Sequence, residues 1–303
     1  MAYDITSPLV IGISSRALFD LEAENRIYEE EGLEAYIAFQ REHENDILEP
    51  GTAFQLVKAL LSLNRNKREV EVIVMSRNSP DTSLRIFNSL RAWQLDITRA
   101  VLTGGAPLAP YLRALKTDLF LSAKAEDVKD AVDHGVAAGQ IITGPAHPGV
   151  RMDQIRIAFD GDAVLFSADA ERVFKQKGID EFLVSEERNA NIPLPEGPFA
   201  NFLRTIARIQ EEYRGKEESP IRTALVTSRN APAHERPIRT LRQWNVRIDE
   251  AFFLGGIDKK DVLEAFGPHI FFDDQEVHTA SASSVVAAAR VPYRQGDDPL
   301  EEK

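Results

Sequence analysis

The twelve residues 156–167, with the sequence RIAFDGDAVLFS, decide the fold that this chain is expected to adopt. The apolar run Ile155–Phe159 has the length of a buried β-strand, and Asp160 and Asp162 follow it directly. Carboxylates at the carboxyl end of a parallel strand lie where open α/β sheets bind their ligands. Asp-Gly-Asp is also common in tight turns, so the motif alone leaves open whether it forms a reactive site or a plain turn.

Composition narrows the class of protein. The chain has 303 residues, of which 43% are hydrophobic and 28% charged, as expected for one large globular domain or two of ordinary size. It contains no cysteine, which excludes disulfides, thiolate metal sites and a cysteine nucleophile. The net charge of −12 argues against nucleic-acid binding over a broad basic surface, but it is compatible with a small phosphorylated ligand.

The sequence predicts no association with a membrane. No apolar run reaches the roughly 18 residues that a membrane-spanning helix needs. The start of the chain, residues 1–4, lacks the basic and apolar segments of a signal peptide. We therefore expect a cytoplasmic location.

The chain also repeats itself in order. The string VMSRNSP from Val74 aligns with VTSRNAP from Val226, and LRAWQLDI from Leu90 aligns with LRQWNVRI from Leu241. Residues 11–28 lie over residues 157–174 without a gap. So many matches in the same order indicate a tandem duplication with small insertions in the loops.

Each copy alternates short apolar runs with helical stretches, which is typical of α/β proteins with parallel sheets. We predict two tandem Rossmann-like units, residues 1–142 and 150–295, joined by the Pro- and Gly-rich linker Thr143–Gly149. The predicted strands are Leu9–Ile13, Val70–Met75, Ala100–Gly105, Leu119–Ser122, Ile155–Phe159, Thr223–Thr227, Ala251–Gly256 and Ile270–Asp273, and the long helical stretches are Ala53–Asn64 and Phe199–Tyr213.

Reactive side chains follow all four predicted strands of the second copy. Besides the two aspartates after the first strand, Thr227 and Ser228 offer hydroxyls for a phosphoryl group, and Lys259 offers a cation. Asp273 and Asp274 add an acidic pair, which with Asp160 makes an oxygen-rich site suited to Mg²⁺.

The first copy serves as an internal control. At the positions of the reactive side chains it has Ser14 for Asp160, Arg16 for Asp162, Met75 for Thr227, Leu108 for Lys259, and Ser122 and Ala123 for the acidic pair. The neighbouring Ser-Arg-Asn and Gly-Gly strings agree between the copies. We therefore expect chemistry in the second copy and a degenerate first copy.

These four motifs resemble those of the haloacid dehalogenase-like superfamily: Asp-x-Asp, Thr or Ser, Lys and an acidic pair on successive strands. More narrowly, the strings LVTSRN, FLGGIDKKDVLEAFGPHIFFDDQ and VPY are similar to the type I, AMP-preferring cytosolic 5′-nucleotidases. The resemblance covers nearly the whole chain. It implies a magnesium-dependent hydrolysis of nucleoside 5′-monophosphates through an aspartyl-phosphate.

The resemblance also implies a role for each matching residue. Asp160 attacks the phosphate, and Asp162 protonates the leaving oxygen and then activates water. Thr227 and Ser228 bind phosphoryl oxygens, and Lys259 neutralises the nucleophile. The metal ligands are Asp160, the backbone carbonyl of Asp162 and the acidic pair, with Asp274 as the direct ligand and Asp273 as its support.

Several interpretations stay open at this stage. By the same resemblance, residues 167–220 form a small cap over the site, although a stiff connector fits equally well. The serines and arginines at the strand ends of the first copy, Ser14, Ser15, Arg16, Ser76 and Arg77, either bind a regulatory nucleotide, contact the substrate of the second copy, or belong to a plain scaffold. Arg229 and Asn230 either contact substrate or help to start a helix, and their match to Arg77 and Asn78 of the first copy favours the helix start.

Two other functions also stay open: a phosphatase for another small phosphometabolite, such as a sugar phosphate, and a non-enzymatic nucleotide sensor. Association into a homo-oligomer is not decided by the sequence.

Overall fold

The strands pair into one ten-stranded sheet in the order β3-β2-β1-β4-β5-β10-β9-β6-β7-β8. The computed structural model describes residues 4–65, 67–144, 146–147, 153–215 and 219–298, so part of the predicted linker and the first residues of the predicted second unit lie outside the described residues. The strands are β1 (Leu9–Ile13), β2 (Val70–Ser76), β3 (Arg99–Leu102), β4 (Leu119–Ser122), β5 (Ala137–Ile141), β6 (Ile155–Phe159), β7 (Ile221–Thr227), β8 (Glu250–Phe253), β9 (Ile270–Asp273) and β10 (Ala288–Arg290).

Helices cover both faces of this sheet. They are α1 (Ser15–Leu18), α2 (Glu22–Glu31), α3 (Leu33–Glu42), α4 (Phe54–Leu61), α5 (Leu84–Ala92), α6 (Ala109–Ala114), α7 (Ala125–Asp133), α8 (Asp169–Arg188), α9 (Ala200–Glu212), α10 (Glu235–Gln243), α11 (Lys260–Phe266) and α12 (Glu276–Ala282). The predicted mixed α/β class with mainly parallel strands is confirmed. The strands form a single continuous sheet, however, whereas a separate sheet was expected for each half.

The junction between the halves is antiparallel. Strands β1–β5 are parallel to one another, and so are strands β6–β10, but β10 pairs with β5 in the antiparallel sense at Ala289 and Ile141. The carboxyl ends of the first five strands therefore lie at one edge of the sheet and those of the last five lie at the opposite edge. Consequently, the first-half residues at these ends, such as Ser14 and Ser76, do not border the Asp160 site. The interpretation that they contact its substrate is wrong.

The two faces of the sheet differ in how their cores are divided. Side chains alternate along a strand, so neighbouring residues face opposite layers. On one face a single apolar cluster runs through both halves and includes Leu9, Leu119, Phe159 and Phe272. On the other face the core is divided into two clusters. One is drawn wholly from the first half, with Val10, Ile73, Met75, Phe120 and Ala138. The buried residues of the other come from the second half, with Ala158, Ala224, Val226, Phe271 and Ala288, and Ile142 of the first half packs against them.

The segment between the first and second strands of each half contains the same backbone features. Gly32, between α2 and α3, has φ +88°, and Gly178, inside α8, has φ +83°. Gly51 and Gly197 both pack closely on backbone: an added Cβ would lie 2.7 Å from the carbonyl carbon of Phe19 and 2.4 Å from the carbonyl oxygen of Phe166, respectively. Only glycine fits such a close approach of two backbones.

Helix α9 belongs to the core of the sheet layer. Its buried side chains Phe202, Leu203, Ile206 and Ile209 join the cluster that spans both halves. The helix was predicted as Phe199–Tyr213 and is observed as Ala200–Glu212. Any cap within residues 167–220 therefore consists mainly of α8 and the loop that follows it.

Candidate active site

Three carboxylates meet at the carboxyl ends of two neighbouring strands. Strand β6 ends just before Asp160, and the adjacent β9 ends at Asp273, followed by Asp274. The backbone N–H of Asp160 donates to the carbonyl of Phe272 at 2.8 Å, which holds the two strand ends level. One oxygen from each carboxylate lies within 4.8 Å of the others, and all three residues are buried. The sequence prediction of an acidic cluster at this edge agrees with this geometry.

Lys259 supplies the positive charge inside this cluster. It lies at the start of α11 with a side chain only 2% exposed, and its Nζ donates to Asp160 Oδ1 and Asp273 Oδ2, each at 2.6 Å. Burial lowers the pKa of Lys259, but the two carboxylates outweigh burial and shift it upward, so the ammonium stays charged.

The carboxylates respond to this crowding in different directions. Burial, despite the opposing effect of Lys259, raises the pKa of Asp160 to about 7. Burial together with the charges of Asp273, Glu171 and Asp160 also raises the pKa of Asp274 well above its usual range. Burial alone would raise the pKa of Asp273 as well, but Lys259 and other groups around it shift it downward. The cluster therefore carries more negative charge than one lysine can balance.

Asp273 has most of its hydrogen-bonding capacity satisfied by protein groups. Besides Lys259, it accepts the backbone N–H of Gln275 at 2.9 Å and lies 3.2 Å from His278 Nδ1. Asp274 differs, because its Oδ1 is buried without a hydrogen-bond partner in the described part of the chain. An orphaned buried carboxylate oxygen is costly unless another group, such as a cation, occupies the position next to it.

The other oxygen of Asp274 is bound by a residue that sequence reasoning did not single out. Tyr293 OH lies 2.5 Å from Asp274 Oδ2 and 3.0 Å from Glu171 Oε2 in α8. Burial and the charge of Asp274 raise the pKa of Tyr293, so the phenol keeps its proton. The only sequence signal for this contact was the string VPY, in which Tyr293 is the last residue.

The hydroxyl side chains after β7 differ in position. Thr227 is buried, and its Oγ1 accepts the backbone N–H of Arg229 at 3.3 Å. A Cβ added to Gly161 would lie 3.4 Å from this oxygen, so the hydroxyl borders the turn that carries Asp160. Ser228 is exposed to solvent. The structure thus places the Thr227 hydroxyl against the turn that follows Asp160, and it leaves Ser228 exposed.

Asp162 binds a buried arginine that was interpreted differently from the sequence. Arg229 donates from Nε to Asp162 Oδ2 at 2.8 Å and from Nη2 to Asp162 Oδ1 at 2.7 Å, and its Nη1 contacts Glu186 of α8. The expectation that Arg229 starts a helix is wrong, since α10 begins at Glu235. A signal was present in the repeat: the positions of Asp162 and Glu186 are taken by Arg16 and Gln40 in the first copy.

The two arginines at the strand ends of the first half are paired with neighbouring carboxylates. Arg16 makes a two-pronged ion pair with Glu22, at 2.7 Å for each contact, and Arg77 pairs with Asp127 of α7. These partners neutralise the cations that a nucleotide phosphate would otherwise attract. The geometry is therefore that expected of a scaffold.

The fold and the site together define an α/β protein with a buried, metal-competent acidic cluster at the strand ends of its second half. A sequence model described as 5′-nucleotidase matches residues 1–298. Human Cytosolic 5′-nucleotidase 1B is 39% identical over 299 residues, which cover 95% of this chain and 49% of that protein. The chain belongs to the 5′-nucleotidase family, and it spans about half the length of the curated relative that it matches.

Solved structures offer only distant likenesses. Histidinol dehydrogenase from Elizabethkingia anophelis matches with a TM-score of 0.25 and 9% identity, over 95% of this chain and 80% of that one. The Pnkp1/Rnl/Hen1 complex matches with a TM-score of 0.34 and 12% identity, over 95% and 97%. Scores this low carry no argument about fold or function.

None of the helices in the described residues combines the length and the apolar character that crossing a membrane requires.

Proposed function

We propose that this chain is a magnesium-dependent 5′-nucleotidase that hydrolyses nucleoside 5′-monophosphates to nucleoside and phosphate through an aspartyl-phosphate on Asp160. The observation that carries the proposal is the contact of Asp160 with Lys259 at 2.6 Å, inside a cluster where Asp160, Asp273 and Asp274 lie within 4.8 Å. Membership of the 5′-nucleotidase family supports the substrate class.

The donor set of the cluster fits Mg²⁺, because this ion prefers carboxylate and carbonyl oxygens. Asp160, Asp274 and the backbone carbonyl of Asp162 would hold the ion, with Asp273 as support. The partnerless, buried Asp274 Oδ1 is in keeping with this assignment, and so is the full set of protein contacts around Asp273. When bound, the ion would neutralise charge and orient the phosphate.

Charge neutralisation is the main requirement of the first step. Two unit charges at 4 Å repel by about 4 kcal/mol at an effective dielectric near 20, and a phosphate carries more than one charge. Lys259 lowers this barrier next to the attacking oxygen. A carboxylate oxygen of Asp160 then forms a bond to phosphorus, and the bond between phosphorus and the ribose 5′-oxygen breaks.

Asp162 handles the protons in this scheme. It gives its proton to the departing 5′-oxygen, and it later accepts a proton from the water that attacks the aspartyl-phosphate and releases inorganic phosphate. Thr227 and Ser228 would bind phosphoryl oxygens. The contact between Thr227 and the turn at Gly161 supports the role of Thr227, and the exposure of Ser228 suits a residue that meets substrate at the rim.

The test is phosphate release from a panel of esters with and without Mg²⁺. We expect release from AMP, IMP or pyrimidine nucleotides well above release from sugar phosphates, dependent on Mg²⁺ and lost in Asp160→Asn. Ser14→Ala, at the equivalent position of the first copy, is the matched control and should retain activity. A preference for sugar phosphates would indicate a phosphatase of another metabolite, and nucleotide binding without turnover would indicate a sensor.

We further propose that the chain consists of two tandem haloacid dehalogenase-like units, residues 1–142 and 150–295. The strand order supports this division, because 3-2-1-4-5 in the first half and 8-7-6-9-10 in the second are the same order. The paired glycines Gly32 and Gly178, with φ near +85°, support it as well. The cap, predicted at residues 167–220, would then centre on α8.

The cellular setting is also a proposal. The human relative is named as a cytosolic enzyme, which supports a cytoplasmic location. A nucleoside 5′-monophosphate is the expected partner, and neither a nucleic acid nor a membrane is. A regulatory nucleotide and a homo-oligomer remain open. The paired arginines of the first half favour a scaffold, and unchanged nucleotide binding by Arg16→Glu would argue against a regulatory site there.

A further inference from the structure

Arg229 is a buried guanidinium shared between two carboxylates. Only 4% of the residue is exposed, and its fork is divided between Asp162, through Nε and Nη2, and Glu186, through Nη1. Glu186 in turn accepts Nη1 of Arg236 at 2.7 Å. The result is an alternating chain of charges that runs from Arg236 in α10 through α8 to the turn after β6.

Asp162 and Glu186, the two carboxylates that bind Arg229, are found only in the copy that carries the acidic cluster. In the first copy, Arg77 keeps the position of Arg229, but Arg16 replaces Asp162 and Gln40 replaces Glu186. Arg77 pairs instead with Asp127 of α7. A guanidinium needed only for folding could keep the same partners in both copies, whereas here both partners differ together with the nucleophile position.

The sharing of Arg229 between Asp162 and Glu186 has a physical consequence for Asp162. Both of its oxygens accept N–H groups of Arg229, so one of them must turn away and take up a proton from water before it can donate to a leaving group. A buried guanidinium left without a counter-charge is costly. Because Glu186 stays on Arg229, the guanidinium keeps one carboxylate partner, shared with Arg236, while Asp162 moves one oxygen.

We propose that Arg229, anchored by Glu186, is a positioning residue that sets the carboxyl group of Asp162 for proton transfer to the leaving oxygen. The inference rests on the proposed function and adds to it the device that orients the proton donor. In the described hydrogen bonds the guanidinium of Arg229 contacts Asp162, Glu186 and the Ala233 carbonyl, but not Asp160, Asp273 or Asp274. Its effect passes through Asp162 alone.

The experiment compares two substrates that differ in one atom. One is AMP, and the other is its analogue with sulfur in place of the bridging 5′-oxygen. An alcohol leaving group needs a proton, whereas a thiolate, with a pKa of about 8.5 for an ordinary thiol, leaves readily without one. The value of kcat/KM includes steps only up to departure of the nucleoside, so the later attack of water does not enter the comparison.

We expect Arg229→Lys to lower kcat/KM for AMP by about 10²-fold and for the sulfur analogue by less than about fivefold, because general acid catalysis contributes roughly 10² to 10⁴. Lysine keeps the charge but cannot form the two-pronged contact. Glu186→Gln, a smaller perturbation of the fold, should shift the ratio of the two substrates in the same direction. Asp162→Asn, which removes the proton donor itself, gives the largest change expected in the ratio of kcat/KM between the two substrates.

Two arginines serve as matched controls. Arg77→Lys changes the equivalent residue of the first copy, and Arg236→Lys changes the residue that contacts Glu186 without touching Asp162. Both should leave the substrate ratio unchanged. An equal loss for the two substrates in Arg229→Lys and Glu186→Gln, while Asp162→Asn is selective, would overturn the positioning role and spare the proposed function. Failure of the unaltered protein to release phosphate from either substrate would overturn both.

Discussion

The ammonium of Lys259 is the one positive charge in direct contact with two members of the acidic cluster within the described residues, Asp160 and Asp273. It contacts both at 2.6 Å and is almost fully buried. Its attraction to the carboxylates exceeds the cost of its own burial, as the upward shift of its pKa indicates. The residue therefore links the stability of the strand ends to their chemistry.

Lys259→Met tests this link. Without metal, we expect the free energy of unfolding to fall by about 3 to 5 kcal/mol, because removing one partner of a buried ion pair leaves charges uncompensated. Phosphate release should fall by roughly 10² or more, since the charge next to Asp160, the proposed nucleophile, is lost. Denaturant unfolding in a chelator and a phosphate assay measure the two effects.

Lys260→Met is the control for this variant, because Lys260 follows in the chain and makes no ion pair with the cluster in the described contacts. It should change neither quantity appreciably. Added Mg²⁺ should stabilise Lys259→Met more than the unaltered protein, as a cation replaces the missing charge. Equal stabilisation of both proteins by Mg²⁺ would contradict this account.

The pKa of Asp160 predicts a pH dependence of stability in the metal-free protein. Its pKa in the folded state is about 7, against an ordinary value of 3.8. The folded state thus holds this proton more tightly than the unfolded state, so the contribution is fully present below about pH 4 and is lost as the pH rises through about 7. The pKa of Asp274 is also raised, so Asp274 contributes in the same direction. The pKa of Asp273 is lowered, so its effect on stability falls below about pH 4.

Urea unfolding in a chelator between about pH 5 and pH 8 measures this effect. We expect stability to decline over this range in the unaltered protein and to decline less steeply in Asp160→Asn, which lacks the titrating group. Saturating Mg²⁺ should remove most of the decline. A slope that is the same in both proteins would show that Asp160 does not titrate in this range.

At the residue scale, the sequence was enough to predict the acidic cluster, because parallel strands bring their carboxyl ends to one edge and each strand end carried a polar residue. It was not enough for Arg229. The direction of a long side chain depends on which carboxylates the fold brings near it, and Glu186 is distant in sequence. Tyr293 was missed for the same reason, since it reaches Asp274 from beyond the last strand.

At the scale of elements, the turn after β6 depends on a close approach of two backbone segments. Gly197 packs on the carbonyl oxygens of Val164 and Phe166, where an added Cβ would lie 2.5 and 2.4 Å away. The backbone N–H of Gly197 also donates to Leu165 at 2.9 Å. The loop after α8 is thereby fixed to the turn that carries Asp162.

Gly197→Ala should therefore displace this turn. We expect a loss of at least about 1 to 3 kcal/mol in unfolding free energy, because backbone atoms cannot move aside as a side chain can. Turnover per folded molecule should also fall, since Asp162 lies on the displaced segment. Thermal unfolding and a steady-state phosphate assay give the two quantities.

Gly51→Ala is the control with the same steric conflict in the first half, where the Cβ would lie 2.7 Å from the Phe19 carbonyl carbon. Its stability should fall by a similar amount while turnover per folded molecule is retained. Similar losses of turnover in both variants would mean that Gly197 acts only through global stability.

Element prediction succeeded where apolar runs were long and bounded by polar residues. Strands β1, β4, β6 and β9 have the predicted bounds, and α9 differs by one residue at each end. Strands β3 and β8 were predicted to extend to their glycines, but they end at Leu102 and Phe253. The reason is that Gly104, Gly105, Gly255 and Gly256 all have positive φ, which belongs to a turn.

At the scale of the whole molecule, one strand of the first half supports the acidic cluster of the second. Gly139 in β5 faces Ala289 and Phe272, so that an added Cβ would lie 2.9 Å from Ala289 Cβ and 3.0 Å from the Phe272 ring. Phe272 precedes Asp273, and its carbonyl accepts the N–H of Asp160. A change at the junction is thus transmitted directly to the strand ends.

Gly139→Val should destabilise the protein by about 1 to 3 kcal/mol through overpacking, and it should weaken Mg²⁺ binding by displacing β9. Gly144→Ala is the control, because no heavy atom lies within 4 Å of its added Cβ. Unfolding and calorimetric titration with Mg²⁺ are the measurements. If Gly139→Val is destabilised but binds Mg²⁺ normally, the junction does not influence metal binding by the acidic cluster.

The junction between the two halves escaped prediction. Strands β5 and β10 read AAGQI and AAR, and small residues give little of the β-branched and aromatic signal by which strands are recognised. The antiparallel direction of the pairing cannot be read from either string, because it depends on how two already folded sets of strands meet.

The pairing of β5 with β10 gives the first half a structural role in the sheet, although this half lacks the acidic cluster. Strands β5 and β10 each form one of the two edges of their own set of five strands, and an uncovered edge strand can pair with other molecules. Each set covers the edge backbone of the other, and one apolar cluster contains residues of both halves. We therefore expect the first half to protect the second from edge-to-edge pairing, although it lacks the acidic cluster.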